Sequence, residues 1–472
     1  MKPMRSRAVE SDAHWRGAAP HAGAPAARPS AGQSPATTWK AEPAMTTPPA
    51  PAAAPSTVVP TAQSARQPAP LPAVQAAVPP TPHQAAQSEA QSAAQSNIAP
   101  LVPPERLAQA GKILFIAHLA LGDFTYLQSC FRAFAEAYPH IEVHLWVDER
   151  RRTRRRAEWD HLKKYALYDW LAECPFIAKV YDETYSPALY RQSLAAAQRE
   201  AYPLVVSLAV LERHKYALLA RKISPRGFVV GQKKYVRPYD LPKRLCYRKL
   251  DACIPAYSAA THPDQHISDI YAGWFTQLFG MQIPAAARYP VLDIAERWRR
   301  YADDQFAAWG FRDAPGAPAR VVFLNAFSKS VERSWPLERV IGLIRTMRCD
   351  PDWGDSGFVV NVVPEELARA RTLFAAQDLA RTHLFSAEDN FFQLPAVLSL
   401  CDLVISVETA IMHLANAVHV PVIALMRQKT PEWAPIDREN SRIITVEGRD
   451  DWVDRIGVQD VMAVLTGTAG VS

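Results

Sequence analysis

Asp123 follows a glycine just after an apolar run, residues 112–118 (KILFIAH). Glycine lets the backbone turn tightly there, and a carboxylate at the next helix start serves as a plain N-cap or as a general base on an acceptor hydroxyl. A second segment, residues 325–336 (NAFSKSVERSWP), sets Ser328, Lys329, Ser330 and Arg333 before a helical pattern. Hydroxyls and cations beside a helix N-terminus make an anion site suited to a diphosphate; the same residues also suit a polar surface loop. In a third, residues 403–418 (LVISVETAIMHLANAV), a β-rich run leads into a helix too apolar to face water. The orphan amides of Thr409, Ala410 and Ile411 would hold phosphate oxygens, Glu408 would bond sugar hydroxyls, and His413 would donate to phosphate or sit satisfied in the core. The fourth is residues 363–366 (VPEE), where Glu365 either accepts both ribose hydroxyls or belongs to an acidic first helical turn.

What must position these residues is a βα alternation. Strands are expected at 112–118, 143–147, 179–181, 204–208 and 227–230, then at 321–324, 358–363, 382–385, 403–407, 420–425 and 443–446. Helical patterns fall between them, with an amphipathic helix over 264–280 (DQHISDIYAGWFTQLFG) ending on a glycine stop signal. The run DAPGAPA reads as a linker. Two doubly wound α/β halves on either side of it leave a cleft, and ligands of such sheets sit at strand carboxyl ends. All four segments fall there. The chain has no GxGxxG turn, no GxxxxGK[ST] loop and no GxSxG elbow; a Rossmann dehydrogenase, a P-loop enzyme and an α/β-hydrolase are disfavoured. Asp350-Pro351-Asp352 is a DxD, but in a turn-rich stretch away from any strand end.

Composition sets the outer limits. Of 40 prolines in 472 residues, 18 lie in residues 1–100 beside Ala, Ser, Gln and Thr tracts. That segment is expected to be a disordered arm, because it cannot bury enough apolar surface to offset its ordering entropy. The six scattered cysteines lack a CxxC pair, which fits reduced thiols and argues against structural zinc. No run approaches a spanning helix, and the basic N-terminus lacks the apolar segment of a secretory signal. The formal charge of +6 hides two basic stretches, net +6 over 150–164 and net +11 over 213–249. Such a field suits an anionic partner: nucleic acid, an anionic membrane or a phosphorylated glycolipid. No RNP, KH or zinc-finger pattern accompanies it, so nucleic acid is not expected.

At these residues the sequence resembles the bacterial heptosyltransferases, glycosyltransferase family 9. The family's opening strand and Gly-Asp pair correspond to residues 112–118 with Gly122 and Asp123. Its Lys-x-Trp-Pro element corresponds to Arg333-Ser334-Trp335-Pro336, and its Val-Ser-Val-Asp-Thr-Gly-x-x-His segment to Ile405–His413, ISVETAIMH. The resemblance extends over roughly residues 110–465. Glu408 stands for the usual Asp, Ala410 for Gly and Arg333 for Lys; Arg for Lys keeps the charge but changes the geometry.

The resemblance implies an α/β GT-B fold, with an acceptor-binding domain over 109–312 and a nucleotide-sugar-binding domain over 313–472; the disordered arm, 1–108, is read from composition and has no counterpart in it. It implies an inverting, metal-independent transfer of heptose from ADP-heptose, with no cofactor, to a lipopolysaccharide inner-core acceptor. Asp123 would be the base; Ser328, Lys329, Arg333 and the Thr409–His413 helix start would hold the diphosphate, Glu365 the ribose and Glu408 the heptose. The acceptor would be an anionic glycolipid at the inner face of the bacterial inner membrane. A protein O-heptosyltransferase and a silent nucleotide-binding scaffold are the alternatives.

Overall fold

The computed structural model describes residues 99–148, 152–163, 166–257, 265–312 and 314–467. Of the arm expected over 1–108, residues 1–98 lie outside the described residues, as do Arg150, Arg151 and Lys164 of the first basic stretch. The arm's last residues are packed, and order begins before Gly111: the amides of Leu101 and Val102 donate to the carbonyls of Gln277 and Leu278, both at 2.9 Å, and Val102 is buried. A buried apolar pair offsets ordering entropy where proline-rich sequence alone would not.

The first half runs α1 (Pro104–Gln109), β1 (Lys112–Ala117), α2 (Leu121–Ala137), β2 (Glu142–Val147), α3 (Trp159–Lys163), α4 (Ala166–Ala172), β3 (Lys179–Tyr181), α5 (Pro187–Arg199) and β4 (Leu204–Ser207). It continues with α6 (Arg213–Ile223), β5 (Phe228–Lys233), α7 (Leu241–Tyr247), β6 (Ala252–Pro255) and α8 (Ile267–Phe279). The second half comprises α9 (Glu296–Ala308), β7 (Arg320–Asn325), α10 (Leu337–Arg348), β8 (Ser356–Asn361), α11 (Leu367–Ala375), β9 (Thr382–Phe385) and α12 (Gln393–Leu398). It closes with β10 (Leu403–Val407), α13 (Ala410–Ala417), β11 (Val422–Met426), β12 (Ser441–Thr445) and α14 (Val458–Leu465). Strand β6 and helices α6 and α7 were not legible as periodic patterns: β6 is four residues ending in Pro255, and the other two lie in the basic stretch.

The strands form two six-stranded sheets, ordered β3-β2-β1-β4-β5-β6 and β12-β11-β10-β7-β8-β9, and neighbouring strands pair in parallel throughout the described residues. Central strands are covered on both faces, so they are apolar throughout rather than alternating; Ile113–Ala117 of β1 are all buried. Each sheet reverses winding once, between β1 and β4 and between β7 and β10, leaving a crevice at the carboxyl ends of those strands.

Helix α8 starts at Ile267, later than the pattern from Asp264, which lies outside the described residues. His266 caps it, and Gly280 ends it at φ 73°. It packs on α2 through Phe275 and Phe279, which surround Phe115 of β1 with Phe131 and Phe134 at ring distances of 5.0–6.2 Å. Helix α9 packs on the second sheet: the Trp309 ring beyond its end stacks on His383 of β9 at 5.6 Å. Among the described residues no helix is long and apolar enough to cross a membrane.

Candidate active site

Asp123 is the third residue of α2, and its Oδ2 accepts the Ala120 amide at 3.1 Å, closing the helix start. Its Oδ1 accepts the Tyr271 hydroxyl of α8 at 2.9 Å, so the aromatic α2–α8 packing ends in a bond that aims the carboxylate. Burial pushes the Asp123 carboxyl above its ordinary value of 3.8, opposed by the Tyr271 bond, the Ala120 amide and the charge of Lys329.

The neighbouring contacts join the halves. A side-chain carbon added at Gly122 would lie 3.9 Å from both His413 and Trp433 of the second half. Tyr126, one turn along α2, hydrogen-bonds His413 Nδ1 at 2.8 Å. His266 Nε2 meets the Ala434 carbonyl at 2.9 Å. The two strand-end rims therefore meet at α2 and α13.

On the second rim, Thr409 caps α13, its hydroxyl accepting the Ile411 amide at 3.3 Å. That cap is held by a buried amide network: Asn361 donates to Asn325 at 3.0 Å, and Asn325 donates to Ser406 at 3.0 Å and Thr409 at 3.1 Å. The network joins the ends of β7, β8 and β10 and fixes the Thr409-Ala410 helix start. Ser328 and Arg333 lie in a turn tied by Ser334, which accepts the Ser328 amide at 3.1 Å and donates to the Ser330 carbonyl at 3.1 Å. Arg333 approaches Glu408 to 4.0 Å.

Glu408 is buried, and the chain itself engages it. Its Oε1 accepts the Thr430 hydroxyl at 2.8 Å, and its Oε2 accepts the Arg427 amide at 3.4 Å and Nε at 3.5 Å. Arg427 also pairs with Glu332 at 2.9 Å. His413 is buried between Tyr126 and Trp433, and burial, then the nearby His266, hold it down to about 3, so it is neutral. Glu365 is exposed on a short turn after β8.

The expected residues Asp123, Ser328, Lys329, Arg333, Glu408, Thr409, Ala410 and His413 thus gather around the two switch points, with Glu365 one strand out. Asn325, Asn361 and Arg427 were missed, although each ends or follows a buried apolar strand. So was a hollow on the first rim. Asp148, after β2, accepts from Tyr216 and from Arg152 at 2.8 Å, and Tyr216 reaches His118 at 3.3 Å. Asp148, Arg152 and Tyr216 border a cavity of about 260 Å³ on the first rim.

Two doubly wound sheets with identical winding, meeting rim to rim, are the GT-B arrangement. Residues 243–450 match the sequence model of glycosyltransferase family 9 (heptosyltransferase), so the resemblance read from the sequence holds. Among solved structures, the glycosyl transferase family 9 protein of Veillonella parvula superposes with TM-score 0.57 at 16% identity, covering 79% of this chain and 99% of that one. The E. coli ADP-heptose lps heptosyltransferase II gives 0.52 at 15%, covering 75% and 98%. E. coli heptosyltransferase WaaC with ADP gives 0.52 at 15%, covering 76% and 100%. At such identities the likeness establishes the fold. No curated protein sequence matches.

Proposed function

We propose that this chain is an inverting, metal-independent heptosyltransferase that moves heptose from ADP-heptose to an anionic glycolipid of the lipopolysaccharide inner core. The observation that carries the reading is the meeting of the two rims beside Asp123: Tyr126 of α2 hydrogen-bonds His413 of α13 at 2.8 Å, and Gly122 backs onto His413 and Trp433. A base and an anion cradle must face one reacting centre, and the contact of the two rims supports that reading. The family match and the ADP-bound relative support the donor.

In this reading Lys329, Arg333 and the amides of Thr409 and Ala410 take the diphosphate, with the Ser328 hydroxyl beside them. Negative charge grows on the diphosphate as the glycosidic bond breaks, so these groups stabilise the transition state more than the bound donor. Glu408 holds Arg333 and Arg427 in place and offers its remaining lone pairs to a donor-sugar hydroxyl. His413, with Nδ1 taking the Tyr126 hydroxyl, keeps its proton on Nε2 as a neutral donor towards phosphate. Glu365 accepts the ribose hydroxyls. Asp123 removes the acceptor hydroxyl's proton as that oxygen attacks the anomeric carbon from the face opposite the leaving ADP, which inverts the centre. The acceptor's head group lies on the first rim, near the Asp148–Tyr216 hollow, and the enzyme works peripherally at the inner leaflet.

Asp123→Asn tests the assignment. Donor affinity by calorimetry should stay within about twofold, while acceptor-dependent ADP release falls roughly a hundredfold or more. Full turnover in this variant would refute the base. Labelled donor offered to a lipid extract and to a protein fraction identifies the acceptor; label in protein alone would favour polypeptide modification.

A further inference from the structure

The second basic stretch differs from the first in what it shows to water. Ten large apolar or aromatic side chains are exposed among the described residues, and four of them, Tyr235, Tyr239, Leu241 and Leu245, lie within eleven consecutive positions, exposed by 83%, 73%, 60% and 57%. Concentrations of exposed apolar surface mark interaction sites, whereas scattered single residues do not. Leu241 and Leu245 are one helical turn apart on α7 and so share a face. Around them, residues 233–249 (KKYVRPYDLPKRLCYRK) hold seven Lys or Arg against Asp240. In the first basic stretch no described residue exposes a large apolar side chain. There Arg152 is taken up by Asp148 and lies 3.6 Å over the Tyr190 ring, and Trp159 donates to the Thr153 carbonyl at 3.1 Å.

We propose that residues 233–249 are a docking surface for an anionic lipid bilayer. The two tyrosines and two leucines enter the headgroup layer, and the flanking cations lie against lipid phosphates. Charge selects this occupant. A second copy would bring one net +6 patch against another, and a neutral surface would leave the cations without counter-charge. Position gives the surface a use. The segment leaves the carboxyl end of β5, which pairs with β4, which pairs with β1. Two strand spacings put that edge about 10 Å from the end of β1. A glycolipid head group rising from the docked bilayer would therefore reach the rim that carries Asp123. The proposal rests on the glycolipid reading for its purpose, and its measurement is independent of it.

The experiment is flotation of the full chain with vesicles of phosphatidylcholine alone and of phosphatidylcholine mixed with phosphatidylglycerol. The chain should partition to the mixed vesicles and be released by salt. Leu241→Ser with Leu245→Ser should weaken that partition roughly tenfold or more. Lys243→Glu with Arg244→Glu should remove the preference for anionic lipid, and Arg154→Glu with Arg155→Glu should change it little. Tyr235→Ser with Tyr239→Ser, in the loop before α7, repeats the apolar test should the leucine variant fail to fold. Equal binding to both vesicles, wild-type binding by the leucine and tyrosine variants, or a wild-type oligomer that these variants dissolve would overturn the proposal. ADP release on detergent-dispersed acceptor should be unchanged in the leucine variant. Absence of ADP release in the wild type, with vesicle binding intact, would defeat the transferase reading and leave this one standing.

Discussion

In the proposed reaction Asp123 meets two opposing demands: it must be ionised to take a proton, and it is placed where burial resists ionisation. Tyr271 sets the balance, because its hydroxyl bonds the ionised carboxylate and so lowers a pKa that burial raises. A base works only when deprotonated, so activity should fall on acidification through the Asp123 pKa, with that limb above the ordinary carboxylate range. Tyr271→Phe removes a lowering influence and should move the acid limb of kcat/KM to higher pH; a limb that stays put would detach Asp123 from the proton transfer. His413 gives a different pH signature. Its folded pKa of about 3 lies below the ordinary 6.5, so between those values the unfolded chain takes up a proton that the native chain refuses. Stability is therefore lost as pH falls from 6.5 towards 3. His413→Gln should shrink the loss between pH 7 and pH 5 by about 1–2 kcal/mol in urea unfolding. Asp123 and Thr409 were legible because each follows an apolar run and opens a helix. The environment of Glu408 was not, since Arg427 and Thr430 lie 19 and 22 positions further along the chain and come close only through the β10–β11 pairing.

At the scale of elements, strands covered on both faces announce themselves as apolar runs, and eleven of the twelve were read that way. The helices that escaped carry their signal on one narrow face. On α6 the buried Tyr216, Ala217, Ala220 and Ile223 are interleaved with Arg213, Lys215, Arg221 and Lys222, and charge masks the period. Gly357 in β8 shows how tightly α9 and its tail are fitted to the second sheet. A side-chain carbon there would sit 2.7 and 2.8 Å from Phe311 ring atoms and 2.9 Å from Pro318 Cγ. Gly357→Ala should destabilise the chain by about 1–3 kcal/mol. Chemical denaturation measures it, and an unchanged midpoint would mean that the Phe311 ring gives way freely.

For the whole molecule, the two sheets share a winding order and one common core, while each also keeps an apolar cluster of its own, around Leu114 and Trp146 in the first half and around Leu324 and Ile344 in the second. One apolar cluster runs from Phe115 and Phe124 of the first half to Phe323, Val404 and Met412 of the second. Trp170 and Phe391 stack across the halves at 5.0 Å, and Asp169 takes the Phe391 amide at 2.8 Å. Calorimetry of the chain should accordingly show one unfolding transition; two resolved peaks would mean that the halves melt separately. The doubled winding order was legible from the alternation of strands and helices. The continuity of the core was not, because no local pattern records which apolar face meets which.

Helix α2 has one more bearing on how such a molecule can move. Asp123 and Tyr126 ride on it three positions apart, one beside the reacting centre and the other locked to His413. As a rigid lever, the helix cannot swing its carboxylate clear of the opposite rim without straining or breaking the Tyr126 latch. In the proposed reaction, admission of substrate and alignment of the base become a single mechanical event.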